Sequence, residues 1–312
     1  MVHRPILIGT RGSPLALWQA NHVRALLVDA HGLGEDAVAL EPITTSGDRI
    51  RDKPLRDFGG KGLFTKEIDD ALLNGAVDLA VHSMKDLPTD LPPGIVIAAV
   101  LKRGDVRDAF ISASGESLAA LPPGAVVGSS SLRRQAQVKR LRPDLQVIDF
   151  RGNVETRIAK IERGVADATL LALAGLNRLG LAGHVTSILS TDEMLPAVAQ
   201  GAIGIACRGN DVLTRDLLQA LNDDSTATAV ACERAFLAQL DGSCRTPIAG
   251  LAEISGDALR FRGLVLNLEG TEWHEIDGLG RPEDAARIGA GAGRELLVLA
   301  GPNFLSSLTP RS

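Results

Sequence analysis

Asp78-Leu-Ala-Val-His-Ser-Met-Lys-Asp-Leu-Pro88 is the stretch that decides the fold. Leu79, Ala80 and Val81 are short, apolar and strand-like, and Pro88 stops regular structure soon after them. Between them stand His82, Ser83, Lys85 and Asp86. A buried strand that ends in ionisable residues delivers them at its carboxyl end, which in an open α/β sheet faces the ligand crevice. Taken alone, Lys85 and Asp86 read equally well as neighbours on a solvated turn. Several other strands end in the same way, and that repetition favours the α/β reading.

Upstream, Ile6-Leu-Ile-Gly-Thr reads as a first strand. Ser13 is placed as an N-cap with Pro14 at the first helical position, opening a helix that runs to about Val28. Arg11 therefore sits where a strand gives way to a helix N-terminus, a place that favours anions. A second strand spans 38–44. Glycines 59, 60 and 62 around Lys61 resemble a phosphate loop without its spacing; with Phe64 they read as a mobile lid or, nearly as well, as a plain loop. A helix over Lys66–Asn74, ended by Gly75, leads into the central stretch.

Downstream, 95–101 is another apolar strand, and Lys102-Arg-Gly-Asp reads as a crossing between domains. The opening pattern then repeats. A strand over 125–128 meets Ser129-Ser-Ser-Leu-Arg-Arg, a helix start with Ser131 at its edge and Arg133 and Arg134 in its first turn. Cations there oppose the helix dipole and call for a reason such as a bound anion. Strand 146–150 ends at Arg151, Asn153 caps a helix carrying Arg157, and strand 168–173 brings Arg178 nearby. Any one of these arginines reads as a surface salt-bridge partner; their recurrence at successive strand ends does not. Leu195-Pro-Ala-Val-Ala-Gln-Gly crosses back to a strand over 202–207, and a helix follows over 226–240. From about Ile248 three strands (249–254, 259–268, 271–276) and a helix (282–299) make a small α+β domain.

The bulk properties fit this outline. A chain of 312 residues has room for two or three domains, and 45% hydrophobic with 23% charged residues is ordinary for a soluble globular protein. No apolar run reaches membrane-span length, and the N-terminus enters a strand within a few residues, so a cytoplasmic protein that meets no membrane is expected. The net charge of −5 argues against nucleic acid as a partner. That charge is uneven: 125–180 holds ten Lys or Arg against five Asp or Glu, a basic patch in an otherwise acidic chain, as a locally held anionic ligand requires. Three cysteines without metal-ligand spacing make both a zinc site and disulfides unexpected. Cys207 and Cys232 fall in apolar runs and read as core. Cys244 lies in the turn-rich Asp241-Gly-Ser-Cys-Arg-Thr-Pro beside Arg245, where a thiol reads either as a nucleophile or as a buried, inert side chain.

Arg11-Gly-Ser-Pro-Leu-Ala-Leu-Trp-Gln-Ala, Gly60-Lys-Gly-Leu-Phe, Val81-His-Ser-Met-Lys-Asp-Leu-Pro, Ser130-Ser-Leu-Arg-Arg-Gln, Arg151-Gly-Asn-Val, Leu195-Pro-Ala-Val-Ala-Gln-Gly-Ala-Ile-Gly and Gly242-Ser-Cys occur in this order. Together they resemble the porphobilinogen deaminase (hydroxymethylbilane synthase) family. The last domain matches mainly through its pattern of elements. The resemblance implies two doubly wound α/β domains like those of periplasmic binding proteins, 1–101 with 200–222 and 102–199, and a C-terminal α+β domain, 223–312. It implies a transferase that joins four porphobilinogen units head to tail into hydroxymethylbilane with release of ammonia. A dipyrromethane cofactor held by a thioether to Cys244 would prime the reaction. Asp86 would be catalytic; Ser83, Lys85, Ser131, Arg133 and Arg134 would hold the cofactor. Arg11, Ser13, Arg151, Arg157 and Arg178 would bind substrate or the lengthening chain, with Lys61 and Phe64 in a lid. No metal is implied, and a monomer is expected. Ser243-Cys244-Arg245 departs from the Gly-Cys-Gln of many relatives and leaves the cysteine intact. The chemistry agrees with the residues, since a pyrrole bearing acetate and propionate chains needs several bidentate guanidinium partners. The alternative is a non-enzymatic anion-binding protein on the same scaffold, which has no use for a modified Cys244.

Overall fold

The computed structural model describes residues 4–49, 64–240 and 246–307. Its strands are β1 (Ile6–Arg11), β2 (Val38–Ile43), β3 (Leu79–Ser83), β4 (Ile95–Val100), β5 (Asp108–Ser112), β6 (Val126–Gly128) and β7 (Gln146–Ile148). They continue with β8 (Ala168–Ala172), β9 (Ser187–Ile188), β10 (Ile203–Arg208), β11 (Ile248–Ser255), β12 (Ala258–Leu266) and β13 (Trp273–Gly280). The helices are α1 (Pro14–His31), α2 (Ser46–Arg49), α3 (Lys66–Leu73), α4 (Leu132–Leu141) and α5 (Val154–Glu162). After them come α6 (Leu173–Arg178), α7 (Val212–Gln219), α8 (Asp224–Gln239) and α9 (Ala285–Ser307). Two compact units result: the described residues up to 104 together with 202–227, and the described residues of 105–201 and from 228 onward.

The first unit is built on a five-stranded sheet of order β2-β1-β3-β10-β4, with β10 antiparallel to both neighbours and the other pairs parallel. Alternation along β3 decides what covers each face. Leu79 and Val81 join Ile8, Ala20, Val23 and Leu27 on the α1 side. Ala80 joins Ile68 and Leu72 of α3 on the other. With both faces covered the strand is continuously apolar, as the sequence showed. Truncating a buried leucine such as Leu79 to Ala would cost roughly 2–5 kcal/mol. Helix α1 starts as expected: the Ser13 side chain accepts from the Ala16 N–H at 3.3 Å, and Pro14 is first in the helix. It runs to His31, where Gly32 at φ 59° ends it in the left-handed region.

The second unit repeats the topology. Its sheet has order β7-β6-β8-β5-β9, and β5 is antiparallel to β8 and β9. Here the antiparallel strand arrives from the crossing near residue 105, whereas in the first sheet it returns from the crossing near residue 202. A three-stranded antiparallel sheet, β11-β12-β13, shares this unit. Ala249, Leu251, Leu264 and Leu266 of that sheet pack with Ala136 of α4 and Leu195. Its β12–β13 turn carries Gly270 at φ 67°, where a Cβ would collide with the backbone of α4 at Ala136 and Arg140. Helices α8 and α9 cross closely because Gly289 offers no side chain against the Cys232 carbonyl.

Three local expectations are revised. The last strand begins at Trp273 and not at 271, because the Asn267 side chain accepts from the Thr271 and Glu272 N–H groups at 3.0 and 3.3 Å and so takes both residues into the turn. The final helix extends past 299 to Ser307 across a break at Gly301, with Pro302 starting the new turn. Strand β9 and helix α7 are additional elements.

Candidate active site

A pocket in the first unit lies where the sheet's strand ends meet the start of α1. Arg11 (end of β1), Ser13 (cap of α1), Ser83 (end of β3) and Asp86 (the turn after β3) line it, together with Phe64 and His82. Residues separated by some seventy positions thus meet because β1 and β3 are parallel neighbours. Asp86 is half-buried and makes no hydrogen bond or ion pair among the described residues. The Ser83 hydroxyl accepts from the Gln19 amide at 2.9 Å, and Gln19 is buried in α1. His82 is 7% exposed, and its Nε2 has no partner among the described residues. Burial first, and then the charge of Arg11, push His82 down to about 4, so the ring is neutral at pH 7. Lys85 stands in the same turn as Asp86 but does not line this pocket.

Arg11 is held on two sides. Its Nε donates to Asp48 Oδ2 at 3.3 Å and its Nη2 pairs with Asp48 Oδ1. The Phe64 ring lies against the guanidinium, 4.3 Å from centroid to Cζ. Asp48 is itself fixed, accepting from the Thr45 hydroxyl at 2.7 Å and the Thr45 N–H at 3.3 Å. Burial raises the Asp48 carboxyl, but Arg11 and Thr45 outweigh it and hold it below its ordinary value.

The second unit presents a different arrangement. Arg133 and Arg134 both point inward from the first turn of α4 and are 4% and 5% exposed. Each donates an Nη2 to Asp108 at 2.8 Å. Arg133 also donates to the Leu195 carbonyl and Arg134 to the Leu170 carbonyl, at 2.8 and 2.9 Å. The Gln200 amide adds a third bond to Asp108 at 2.8 Å. Burial acts to raise the Asp108 carboxyl, and the two guanidinium groups more than reverse it, holding it well below the carboxylate range. The anion that these arginines call for is therefore supplied in part from within. The cluster still carries two positive charges against one negative, and both Nε atoms are buried without a partner among the described residues.

The remaining expected residues lie in the second unit. Ser131 is the N-cap residue of α4 but makes no side-chain capping bond. Arg151 and Arg157 flank Gly152, whose carbonyl accepts from Arg157 Nε at 2.9 Å. Arg178, at the end of α6, donates to the Gly201 carbonyl at 2.6 Å, and burial lowers its guanidinium to about 10 without discharging it at pH 7. Lys61 and Cys244 lie outside the described residues. Sequence reasoning missed Gln19, Asp48, Asp108 and Gln200. No cluster of metal-ligating side chains occurs, and no helix is long and apolar enough to cross a membrane, among the described residues.

Residues 6–216 match the family model described as "Porphobilinogen deaminase, dipyromethane cofactor binding domain", and residues 227–298 match "Porphobilinogen deaminase, C-terminal domain". A porphobilinogen deaminase of Nitrobacter hamburgensis is 56% identical over 299 residues, covering 96% of this chain and 95% of the relative. One from Paracoccus denitrificans is 55% identical over 300 residues, with 96% of each chain covered. Among solved structures, a periplasmic substrate-binding protein of an ABC transporter from Coxiella burnetii aligns with a TM-score of 0.44 at 14% identity, over 73% of this chain and 96% of that one.

Proposed function

The chain belongs to the porphobilinogen deaminase family, and from that premise we propose that it joins four porphobilinogen units head to tail into hydroxymethylbilane, with Asp86 as its catalytic carboxylate. The observation that carries the assignment to Asp86 is its state in the pocket: a half-buried carboxylate with no partner among the described residues, between the end of β3 and the cap of α1. Loss of ammonia from porphobilinogen leaves a delocalised cation. A fixed carboxylate that nothing else neutralises stabilises that charge as it develops and can then accept the pyrrole proton. Neutral His82 adds no competing cation. Arg11 and Ser13 supply donors for the carboxylate side chains of the substrate; Arg151, Arg157 and Arg178 are proposed to do the same in the second domain.

The family's dipyrromethane, when bound, supplies the pyrrole carbon to which the first unit is joined. Its carboxylates fit the residues present: Arg133 and Arg134 hold an uncompensated positive charge and two Nε atoms without a partner among the described residues, while Ser83 and Lys85 stand at a strand end of the first unit and Ser131 at a helix start of the second. Cys244 is proposed as the attachment point and Lys61 with Phe64 as parts of a lid. The three sheets support a division into domains 1–101 with 200–222, 102–199 and 223–312. The protein is proposed to act as a cytoplasmic monomer; buried, unpaired Cys207 and Cys232 fit a reducing compartment.

The test is stoichiometric. Purified protein given porphobilinogen should release one ammonia per unit consumed and yield a linear tetrapyrrole. Porphobilinogen bound without ammonia release would favour an anion-binding protein instead.

A further inference from the structure

Asp48 is not among the residues that the sequence singled out, and its setting shows that it is built for one contact. Thr45, just before α2, donates twice to Asp48, through its N–H and its hydroxyl. Glu67 of α3 secures the same turn by accepting from the Ser46 N–H at 2.9 Å and from the Ser46 hydroxyl. The carboxylate so fixed takes the Nε–Nη2 side of Arg11, while Phe64 covers a face of the guanidinium. A guanidinium has five N–H groups, and Asp48 engages two of them. What Arg11 offers a ligand in the pocket is therefore its Nη1–Nη2 end, on a cation whose charge is already largely offset.

We infer that Asp48 is a positioning residue that limits how tightly Arg11 holds the carboxylate side chains of the substrate. The inference rests on the proposed polymerisation, in which every added pyrrole brings carboxylates that must be bound and then released before the next arrives. An unopposed arginine would bind ground state and transition state alike; that lowers KM without raising kcat and delays departure. With Asp48 in place, recognition relies on the hydrogen-bond geometry of one guanidinium end and less on net charge.

The experiment compares steady-state kinetics of the holoenzyme with porphobilinogen for wild type, Asp48→Asn and Asp48→Glu. Native mass spectrometry of the enzyme-bound intermediates accompanies it. Asp48→Asn should lower both KM and kcat, by roughly two- to fivefold, the range spanned by one partly exposed ion pair. Partly extended species should accumulate on the enzyme. Asp48→Glu keeps the charge and should return both parameters toward wild type. If Asp48→Asn does not fold, Asp48→Ser, which still accepts from Thr45, serves in its place with the same expected result. A raised KM at unchanged kcat would show that Asp48 only holds Arg11 in place, and unchanged parameters would show no role; either overturns the inference while leaving the polymerase reading intact. A wild type that consumes no porphobilinogen removes that reading, and the inference with it.

Discussion

Asp86 and Asp108 stand at comparable places, one just past the end of an interior strand and one at the start of an interior strand of its own five-stranded sheet, and they are in opposite electrostatic states. Asp108 is fully buried and spent: two guanidinium groups and one amide converge on it. Asp86 is half-buried and has no partner among the described residues. A buried ion cluster is costly to break, whereas an unopposed carboxylate in a pocket adds little to stability and can act on a developing cation. Similar charged residues at strand ends thus serve two ends, and the partner decides which.

The comparison can be broken by exchanging a carboxylate for its amide on each side. Asp86→Asn should lower kcat by about 10²–10³-fold, the scale of removing one preorganised electrostatic contact. KM should change far less, and the melting temperature should stay near wild type. Asp108→Asn should do the reverse. It leaves two buried arginines without their charge partner, at a cost of about 3–5 kcal/mol, seen as a fall in Tm on the order of 10 °C. If Asp86→Asn melts early and Asp108→Asn does not, the two assignments are exchanged.

A smaller effect sharpens the contrast through pH. Asp69, on the inward side of α3 in the first unit, is raised to about 6 by burial, with the Thr65 hydroxyl opposing and Asp70 adding to the rise. A carboxyl raised on folding stabilises below its unfolded value near 3.8 and loses that contribution as pH climbs through 6. Asp108 is depressed, so its contribution is present above the unfolded value and is lost as pH falls below it. Stability against pH should therefore slope down between pH 4 and 6 through Asp69, by an amount on the order of 1 kcal/mol, and fall again on the acid side through Asp108. Asp69→Asn should flatten only the first slope in urea titrations run from pH 3 to 7. An unchanged slope would mean that Asp69 is already ionised in the native state at pH 4.

Much of this was legible in the sequence because the informative signals were local. The apolar run at 79–81 and the Ser13-Pro14 helix start each act within a few residues. They brought Arg11, Ser13, Ser83 and Asp86 to neighbouring strand ends without knowledge of the packing. Asp108 was hidden for the opposite reason. It lies in Arg103-Gly-Asp-Val-Arg-Asp, where any acid could pair with any base on a surface, and only the approach of α4 buries this one. The two arginines on α4 were rightly seen to need an anion, but a partner about twenty-five positions away leaves no periodic trace. Asp48 and Gln19 were missed likewise, since a polar residue on a short turn or a helix face looks solvated until a neighbouring strand covers it.

The most direct test is intact-mass spectrometry of wild type and Asp86→Asn, each before and after porphobilinogen. Both should exceed their chain mass by a single two-pyrrole adduct, which fragmentation places on Cys244, with Cys207 and Cys232 unmodified. On adding porphobilinogen the wild type should climb in pyrrole-sized steps and Asp86→Asn should stay where it began. An active wild type at the bare chain mass, or an Asp86→Asn variant that climbs as fast as wild type, would contradict the proposal that Asp86 drives a chain primed at Cys244.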